Sequence, residues 1–191
     1  QEDSVAVTGD FASSVGADED NICYRALAAF RDHGGVAGCH SITIDKRIPV
    51  GAGLGGGSSD AAVILRYLNR TSPAPLADRR LAEAALSLGA DVPVCLAGIA
   101  QRMQGIGDML TPVDPVPHGH LVLARADAML PTAEVFRSLR KSGSGDAAPL
   151  RSSEISGSVA DIVAAGNDLQ AAAMSLSPDI AGVLDRLRDG N

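Results

Sequence analysis

The chain has 191 residues, of which 46% are hydrophobic, enough for one large domain or two small ones with a buried core. Its 23 acidic and 16 basic residues give a net charge of −7, and only 3% of the residues are aromatic. This composition argues against nucleic acid as a partner, because nucleic-acid binding usually requires a positive field and aromatic stacking platforms. No apolar run approaches the roughly 20 residues of a membrane span, so no membrane partner is expected.

The cysteines indicate a cellular compartment. Cys23, Cys39 and Cys95 are odd in number and show no CxxC spacing. Reduced thiols in a cytoplasmic protein fit this pattern better than a disulfide framework. No feature of the sequence indicates an oligomeric state.

The first elements follow from hydrophobic periodicity. Val5 and Val7 alternate with small or polar residues, which predicts a short strand. Residues 20–35 carry apolar side chains at helical spacing and end in two glycines, so they predict a helix with a glycine exit. The segment SITIDKRIP, residues 41–49, alternates isoleucine with polar residues and ends in proline, which is typical of a strand end.

A glycine-rich stretch follows that strand. Residues 49–62 read PVGAGLGGGSSDAA, and five of the seven residues in 51–57 are glycine. The next segment predicts an apolar helix with a serine N-cap and with Asp60 in its first turn. Glycines let backbone N–H groups approach an anion, and the positive end of the helix points to the same place. The stretch therefore predicts a triphosphate-binding loop.

Other phosphate and nucleophile motifs fit this stretch less well. It matches GxGxxG, but that pattern is loose, and Pro49 is awkward for the strand-to-turn entry of a dinucleotide fold. A P-loop requires lysine where Gly57 stands, and no GxSxG motif passes through Ser58 or Ser59. A flexible turn is the remaining alternative, although such turns rarely contain so many glycines before a helix.

The rest of the chain predicts further helices, a hairpin and a domain boundary. Residues 76–90 predict an amphipathic helix that ends at a glycine, and Asp91 follows in a short link before a strand-like run, VPVCLAG. Residues 98–114 predict two strands around a glycine turn. A boundary near Pro115 gives two domains, 1–116 and 117–191. The second domain is expected to have a helix in PTAEVFRSLR, a polar loop and two more helices.

Several motifs together resemble the GHMP kinase superfamily of galacto-, homoserine, mevalonate and phosphomevalonate kinases. PVGAGLGGGSSDAA resembles the second signature of that superfamily, a proline and a spacer followed by GLG and two serines before a helix. The longer form GLGGGSS is similar to that of the branch that phosphorylates a cytidine diphosphate-linked methylerythritol. EDNICYRAL, LSLGADVPV and GIAQRMQGIGDMLTPV resemble the same branch, and weaker similarity continues to GNDL at 166–169, so the resemblance covers nearly the whole chain.

The resemblance implies an α+β, two-domain architecture. The N-terminal domain is expected to be ribosomal protein S5 domain 2-like, and a GHMP kinase C-terminal domain should follow, both of them incomplete here. Relatives begin with a strand that carries a lysine in a KINL-type motif, and a third glycine signature follows their last helices. Neither feature occurs within the 191 residues. We therefore expect this chain to be the middle of a longer enzyme, with doubtful activity on its own.

The resemblance also implies an activity. It is the ATP-dependent phosphorylation of the 2-hydroxyl group of the methylerythritol acceptor, in the nonmevalonate pathway to isoprenoid precursors. Two alternatives remain open. The chain could act as another GHMP small-molecule kinase, mevalonate- or homoserine-kinase-like, or as a nucleotide-binding module without turnover.

Site roles carried over from the resemblance fall on three groups of residues. Asp91 matches the base that accepts the hydroxyl proton, and Phe136 matches an aromatic side chain that stacks on the cytosine. The phosphate loop, with Mg²⁺ bridging the β- and γ-phosphates, comprises Gly51, Ala52, Gly53, Leu54, Gly55, Gly56, Gly57, Ser58 and Ser59. The residues matching the adenine pocket are Asn21, Ile22, Lys46, Pro49 and Val50.

Each of these roles has a structural alternative. An aspartate such as Asp91 often caps a turn, a strand-end lysine such as Lys46 is often solvated, and a helical phenylalanine such as Phe136 often belongs to the core. No cluster with metal-ligand spacing is predicted anywhere in the chain.

Overall fold

A computed structural model of the protein describes residues 2–113, 120–126, 130–141 and 159–190. The chain divides into two compact units, Gln1–Val113 and Asp114–Asn191. The domain limits predicted from the sequence, 1–116 and 117–191, remain predictions.

The first unit opens with two parallel strands joined by a helix. Strand β1 spans Ser4–Thr8, helix α1 spans Ile22–Asp32, and strand β2 spans Ser41–Asp45. The strands pair in parallel, with Ser4 opposite Ser41. A parallel pair requires a crossover connection, and α1 provides it. All three elements confirm the prediction from the sequence.

The glycine exit of α1 has a steric reason. Gly34 has φ +96°, a left-handed conformation that favours glycine. Gly35 follows, and a Cβ atom there would lie 2.3 Å from Cε1 of the fully buried Phe30 ring. Only glycine therefore lets the chain turn back across this aromatic ring.

Three helices follow β2, and the first begins earlier than predicted. Helix α2 spans Gly56–Thr71, and its N-cap is Gly55 with φ 65°. The predicted serine N-cap is therefore wrong, and Asp60 lies in the second turn. The left-handed conformation of Gly55 starts the helix two residues before Ser58. The prediction placed the start at Ser58 because serine is a common N-cap residue, and it overlooked glycine in that role.

The strand predicted in VPVCLAG is also wrong. Helix α3 spans Asp78–Leu88 with Gly89 at its C-cap, as expected, but helix α4 then spans Val92–Ala97. A short apolar run has no periodicity that distinguishes a buried strand from a buried helix. Pro93 lies in the first turn of α4, where a missing N–H group costs no helical hydrogen bond.

Packing of these four helices forms the core. Helix α1 contacts α2 and α3, and α4 contacts α2 and α3. Many of the buried side chains are alanine, whose small size lets helices approach closely. The buried cluster comprises Ala26, Leu27, Ala29, Phe30, Ala61, Ala62, Leu65, Leu68, Leu76, Ala84, Ala85, Leu88 and Val92. Because α1 and α2 both contribute to this cluster, their N-terminal ends are held in fixed positions.

The first unit ends with the predicted hairpin. Strand β3 spans Gln101–Gln104 and strand β4 spans Met109–Pro112, paired antiparallel. Gly105 in the turn has φ 65°. Parallel and antiparallel strands together with a helical core confirm the α+β class.

The regular elements described in the second unit are all helices. Helix α5 spans Thr132–Lys141, α6 spans Val159–Ala165, α7 spans Leu169–Leu176 and α8 spans Asp179–Asp189. Helix α5 packs against α7. Three helices follow α5 where the sequence predicted two, because Gly166 leaves α6 with φ 68°.

The polar loop after α5 lies outside the described residues. Within the part of the chain that the structure describes, no helix has both the length and the apolar character needed to cross a membrane.

Candidate functional site

A cleft of about 520 Å³ lies in the first unit, around the glycine-rich loop. Five segments meet there: the end of β2, the loop that follows it, the start of α2, the N-terminus of α1, and residues 14–20. Most of the nucleotide-binding residues predicted from the sequence line it. They are Asn21, Ile22, Lys46, Pro49, Val50, Gly51, Ala52, Gly53, Leu54, Gly55, Gly56, Gly57 and Ser58.

Three glycines give the loop its shape. Gly51, Gly53 and Gly55 have φ values of 71°, 73° and 65°, in the left-handed region that L side chains rarely adopt. A Cβ atom at any of the three would meet nothing within 4 Å. Glycine is therefore required here by backbone conformation, and the open space beside it leaves the backbone accessible from the cleft.

The loop leads directly into the positive end of α2. The amide of Ser59 donates to the carbonyl oxygen of Gly55 over 2.8 Å, which closes the first turn. The N–H groups before it have no partner within the helix, so they can donate to an anion. Ser58 lines the cleft, whereas the predicted phosphate-loop residue Ser59 does not.

Helix α1 approaches the same place. The Cγ2 atom of Ile22 lies 3.4 Å from where a Cβ atom on Gly57 would stand. A Cβ atom at residue 57 would make an ordinary van der Waals contact with Ile22, so this glycine is not required by packing, whereas those at 51, 53 and 55 are required by backbone conformation.

Lys46 reaches toward the start of α2. Its backbone is held by two hydrogen bonds: its amide donates to Thr8 over 2.7 Å, and its carbonyl accepts from Phe11 over 3.1 Å. The side chain is half-buried, and Nζ lies 3.8 Å from where a Cβ atom on Gly56 would stand. The ammonium group therefore lies beside the phosphate loop, unlike the solvated strand-end charge of the alternative interpretation.

Two further ionisable groups line the cleft. Burial raises the pKa of Asp60 above its ordinary value, and the charge of Lys46 acts in the opposite direction. Burial also raises the pKa of Cys23 to about 11, with Asp60 adding to the effect and Lys46 opposing it. At neutral pH Cys23 is thus a protonated thiol and a poor nucleophile.

Asn21 has a structural role that the sequence did not predict. It is buried, with 8% of its surface exposed, and it is the N-cap of α1. Its Oδ1 accepts from the amide of Cys23 over 2.9 Å, and its Nδ2 donates to the carbonyl of Gly16 over 2.6 Å. Both ends of this side-chain amide are therefore bonded within the protein.

Asp91 does not line the cleft. It is exposed and is the N-cap residue of α4, so the expected link to a buried strand, and the partial burial inferred from it, are wrong. Its side chain makes no capping hydrogen bond, which argues against the turn-capping alternative. Helix α4 packs against α2, the helix that starts at the phosphate loop.

Phe136 belongs to the second unit. It lies on α5, and 43% of its surface is exposed. An exposed aromatic ring of this kind differs from the core residue of the alternative interpretation.

Several residues that line the cleft were not predicted from the sequence to belong to the site. Those on residues 14–20 carried no local signal, because their approach to the loop depends on tertiary contacts. Asp60 could have been found, since it directly follows the two serines. The additional lining residues are Ser14, Val15, Gly16, Asp18, Asp20, Cys23, Ile44, Ile48 and Asp60.

The described residues were compared with the requirements of a metal site and of a disulfide. Among the described residues, no group of three or more histidine, cysteine, aspartate or glutamate side chains could by itself hold a metal ion. No disulfide joins Cys23, Cys39 and Cys95, all of which lie in the described part of the chain.

Comparison with known proteins places the chain in a family. The family described as GHMP kinases N terminal domain matches residues 21–99, which include the phosphate loop and Asp91. A crystal structure of a 4-(cytidine 5'-diphospho)-2C-methyl-D-erythritol kinase superposes with a TM-score of 0.69 at 30% sequence identity, over 99% of this chain and 68% of the other. The chain therefore belongs to the GHMP kinase family, and the resemblance and fold class predicted from its sequence are confirmed.

Curated relatives narrow the match within that family. A 4-diphosphocytidyl-2-C-methyl-D-erythritol kinase from Rhodospirillum rubrum is 40% identical over 186 residues, which are 96% of this chain and 61% of the relative. One of the same name from Azorhizobium caulinodans is 40% identical over 184 residues, covering 94% of this chain and 64% of the relative. The chain thus spans less than two thirds of the length of these relatives.

Proposed function

We propose that the protein transfers the γ-phosphate of ATP to the 2-hydroxyl group of 4-diphosphocytidyl-2-C-methyl-D-erythritol, a step of isoprenoid precursor synthesis. The observation that carries the proposal is the cleft, where three left-handed glycines lead into the positive end of α2. The relatives that align with most of the length of this chain carry the name of that kinase.

The triphosphate is assigned to the glycine loop. Phosphoryl transfer requires alignment and charge neutralisation more than covalent chemistry. The unpaired amides in the first turn of α2 and the ammonium group of Lys46 supply positive charge at one place. Both stabilise an anion that is bound there.

A magnesium ion fits the same place. Ser58 and Asp60 both line the cleft, and hydroxyl and carboxylate oxygens suit Mg²⁺, which keeps several waters and binds substrate phosphates. The bound ion would neutralise charge on the β- and γ-phosphates. Ser58 and Asp60 would hold it, and Lys46 would hold the phosphates from the side of β2.

The base of the nucleotide is assigned to the apolar part of the cleft. Ile48, Val50 and Leu54 line it with 42%, 39% and 50% of their surfaces exposed. Exposed apolar side chains around a concave site are typical of a pocket that a flat aromatic ligand covers. Adenine would cover them.

The roles proposed toward the acceptor fall on Asp91 in the first unit and on Phe136 in the second unit, each argued from its own surroundings. Asp91 has a carboxylate that no capping bond occupies, so it can accept the proton of the acceptor hydroxyl group. Phe136 presents an exposed ring for stacking on cytosine. Transfer then needs the acceptor hydroxyl group to approach the γ-phosphate in line with the leaving oxygen.

A coupled assay of ADP release tests the proposal. The full-length protein is supplied with ATP and Mg²⁺ and with 4-diphosphocytidyl-2-C-methyl-D-erythritol, mevalonate or homoserine in turn. We expect ADP release with the cytidine compound alone. Turnover only with mevalonate or homoserine would assign another GHMP kinase activity, and ATP binding in a calorimetric titration without any turnover would indicate a nucleotide-binding module.

A further inference from the structure

We propose that Gly107 is a positioning residue for the proposed base, Asp91. It lets the tip of the β3–β4 hairpin pack on the backbone of Ala90 and thereby fixes the link that carries the Asp91 side chain. The role is indirect, because Gly107 acts through Ala90. This inference rests on the proposed function, since it requires Asp91 to accept the proton of the acceptor hydroxyl group.

The link that carries Asp91, residues 89–91, joins the end of α3 to the start of α4. On one side the amide of Gly89 donates to the carbonyl of Leu86 over 3.2 Å, and on the other the amide of Cys95 donates to the carbonyl of Asp91 over 3.2 Å. The Asp91 side chain is exposed and makes no capping hydrogen bond. The position of its carboxylate therefore depends on how the backbone of the link is held.

The tip of the hairpin packs on this link. Gly107 is buried, whereas residues 103–106 and 108–109 on either side of it are exposed. A Cβ atom on Gly107 would lie 2.6 Å from the carbonyl oxygen of Ala90 and 3.1 Å from the Cβ atom of Ala90. The hairpin thus approaches the chain directly beside Asp91, at a distance that only glycine allows.

Backbone conformation also favours glycine at residue 107. Its φ is +95°, in the left-handed region. The amide of Gly107 donates to the carbonyl of Gln104 over 3.1 Å, and Oδ1 of Asp108 accepts from the amide of Ile106 over 3.1 Å, so the turn has a defined shape. This turn holds the bare Cα atom of Gly107 against Ala90.

A methyl group at residue 107 should displace the link. The atom that it would meet first is a backbone oxygen of Ala90, which cannot rotate away as the end of a side chain can. An ordinary contact between two heavy atoms needs about 3.5 Å, so the tip or the link must move by roughly 1 Å. A misplacement of about 1 Å in an active site can lower the rate about 10²-fold.

A double-mutant cycle in the full-length protein tests the inference. Gly107→Ala adds the methyl group, and Asp91→Asn removes the proposed base. With 4-diphosphocytidyl-2-C-methyl-D-erythritol as the acceptor, we expect Gly107→Ala to lower kcat about tenfold or more and to leave the affinity for ATP unchanged. In the Asp91→Asn background the same substitution should change kcat less than about twofold, because a residue that acts only through Asp91 then has nothing to position.

The matched control is Gly105→Ala. Gly105 lies in the same turn with φ 65°, so alanine there also strains the backbone. Its Cβ atom would lie 2.5 Å from Oδ1 of Asp108, a side-chain atom of the hairpin itself, and Ala90 is not among its nearest neighbours. We expect both substitutions to lower the melting temperature by similar amounts, whereas only Gly107→Ala should lower kcat.

Hydrogen exchange gives a measurement that does not depend on activity. We expect Gly107→Ala to speed backbone hydrogen exchange in residues 89–95 about threefold or more, and Gly105→Ala to leave it unchanged. Should Gly107→Ala fail to fold, Asp108→Ala takes its place. It removes the acceptor for the amide of Ile106, which loosens the turn without adding volume, and it should change kcat and hydrogen exchange in the same directions.

Other results would overturn the inference. Equal losses of kcat in the parent and in the Asp91→Asn background would show that Gly107 acts independently of Asp91. An unchanged kcat would make the contact with Ala90 irrelevant to the reaction, and a parallel loss of ATP affinity would make it a support of the whole unit. A parent that releases no ADP with any acceptor would contradict the proposed function and the positioning role together, whereas the exchange data would still show whether Gly107 holds the link.

Discussion

Lys46 and Asp60 line the same cleft, and the charge of the lysine lowers the pKa of a carboxyl group that burial raises. The two side chains come from different elements, the end of β2 and the second turn of α2. Their proximity places one positive and one negative group beside the bare amides of the phosphate loop. A triphosphate with its magnesium ion carries the complementary pair of charges.

Replacement of Lys46 by methionine tests this arrangement. We expect Lys46→Met to weaken ATP binding about tenfold or more, because a charge-assisted hydrogen bond to phosphate is lost. The pKa of Asp60, followed by NMR, should rise further. Arg47→Met is the matched control: it removes the same charge one residue along the chain, where the side chain is paired with Asp45 and lies outside the nucleotide cleft. Equal effects of the two substitutions would show that only net charge matters.

Gly55 tests the phosphate loop itself. At φ 65° a β-branched residue is strained by about 1–3 kcal/mol, and its side chain would project into the open space beside the loop. We expect Gly55→Val to abolish ATP binding in a calorimetric titration while the fold survives. Gly38→Val adds the same side chain in open space at a residue without positive φ, so it should bind ATP normally. Unchanged ATP affinity of Gly55→Val would remove the loop from the site.

Asp91 tests the proposed base. Asp91→Asn preserves shape but cannot accept a proton, and loss of a general base typically lowers turnover by about 10²–10⁴. Affinity for ATP should stay unchanged because Asp91 does not line the cleft, and the melting temperature should also stay unchanged because its side chain caps nothing.

The control for Asp91 is Glu83→Gln. Glu83 is an exposed carboxylate on α3 that pairs only with a surface arginine, so its loss should leave turnover intact. If Asp91→Asn in the full-length protein turned over within threefold of the parent, the base would have to be another group.

An ion pair between Asp3, which directly precedes β1, and Arg31 on α1 joins the start of the chain to that helix. The Asp3 carboxylate binds the guanidinium group of Arg31, with one of the two contacts at 3.0 Å, and accepts from the amide of His40 over 2.9 Å. The hydrogen bond from Arg31 lowers the pKa of Asp3 below its ordinary 3.8, against an opposing effect of burial. A lowered pKa in the folded state means that the stabilisation is present above about pH 4 and is lost as the pH falls through the folded-state pKa.

Substitution of Asp3 should therefore have a pH-dependent effect. We expect Asp3→Asn to lower the free energy of unfolding by about 1–2 kcal/mol at pH 7, and the difference from the parent should shrink toward zero as the pH falls through the lowered folded-state pKa of Asp3. Denaturant unfolding at a series of pH values measures it. The control is Asp45→Asn, which breaks the ion pair with Arg47, whose side chain is 80% exposed. This substitution should change the free energy of unfolding little at any pH. A loss that is constant with pH would mean that the carboxylate charge does not stabilise the fold.

Local features of the sequence determined much of the phosphate half of the site. The strand end before Pro49, the run of glycines and the helix behind them are contiguous, and the chemistry of a glycine-rich helix start does not depend on distant parts of the chain. Residues 49–58 were therefore predicted as one unit, and the structure brings all of them to one cleft. The strong periodicity of α1 and α3 also predicted those helices within a few residues of their observed ends.

Tertiary structure decided the features that depend on approach between distant segments. Residues 14–20 join the cleft with the help of hydrogen bonds from Phe11 to Lys46 and from Asn21 to Gly16, pairings that no local pattern encodes. The apolar run after Asp91 became helix α4 because burial against α2 and α3 is available to a helix there, whereas its residue types suit a buried strand equally well. Local sequence specifies the backbone chemistry of a loop, but only packing in three dimensions specifies which other segments that loop faces.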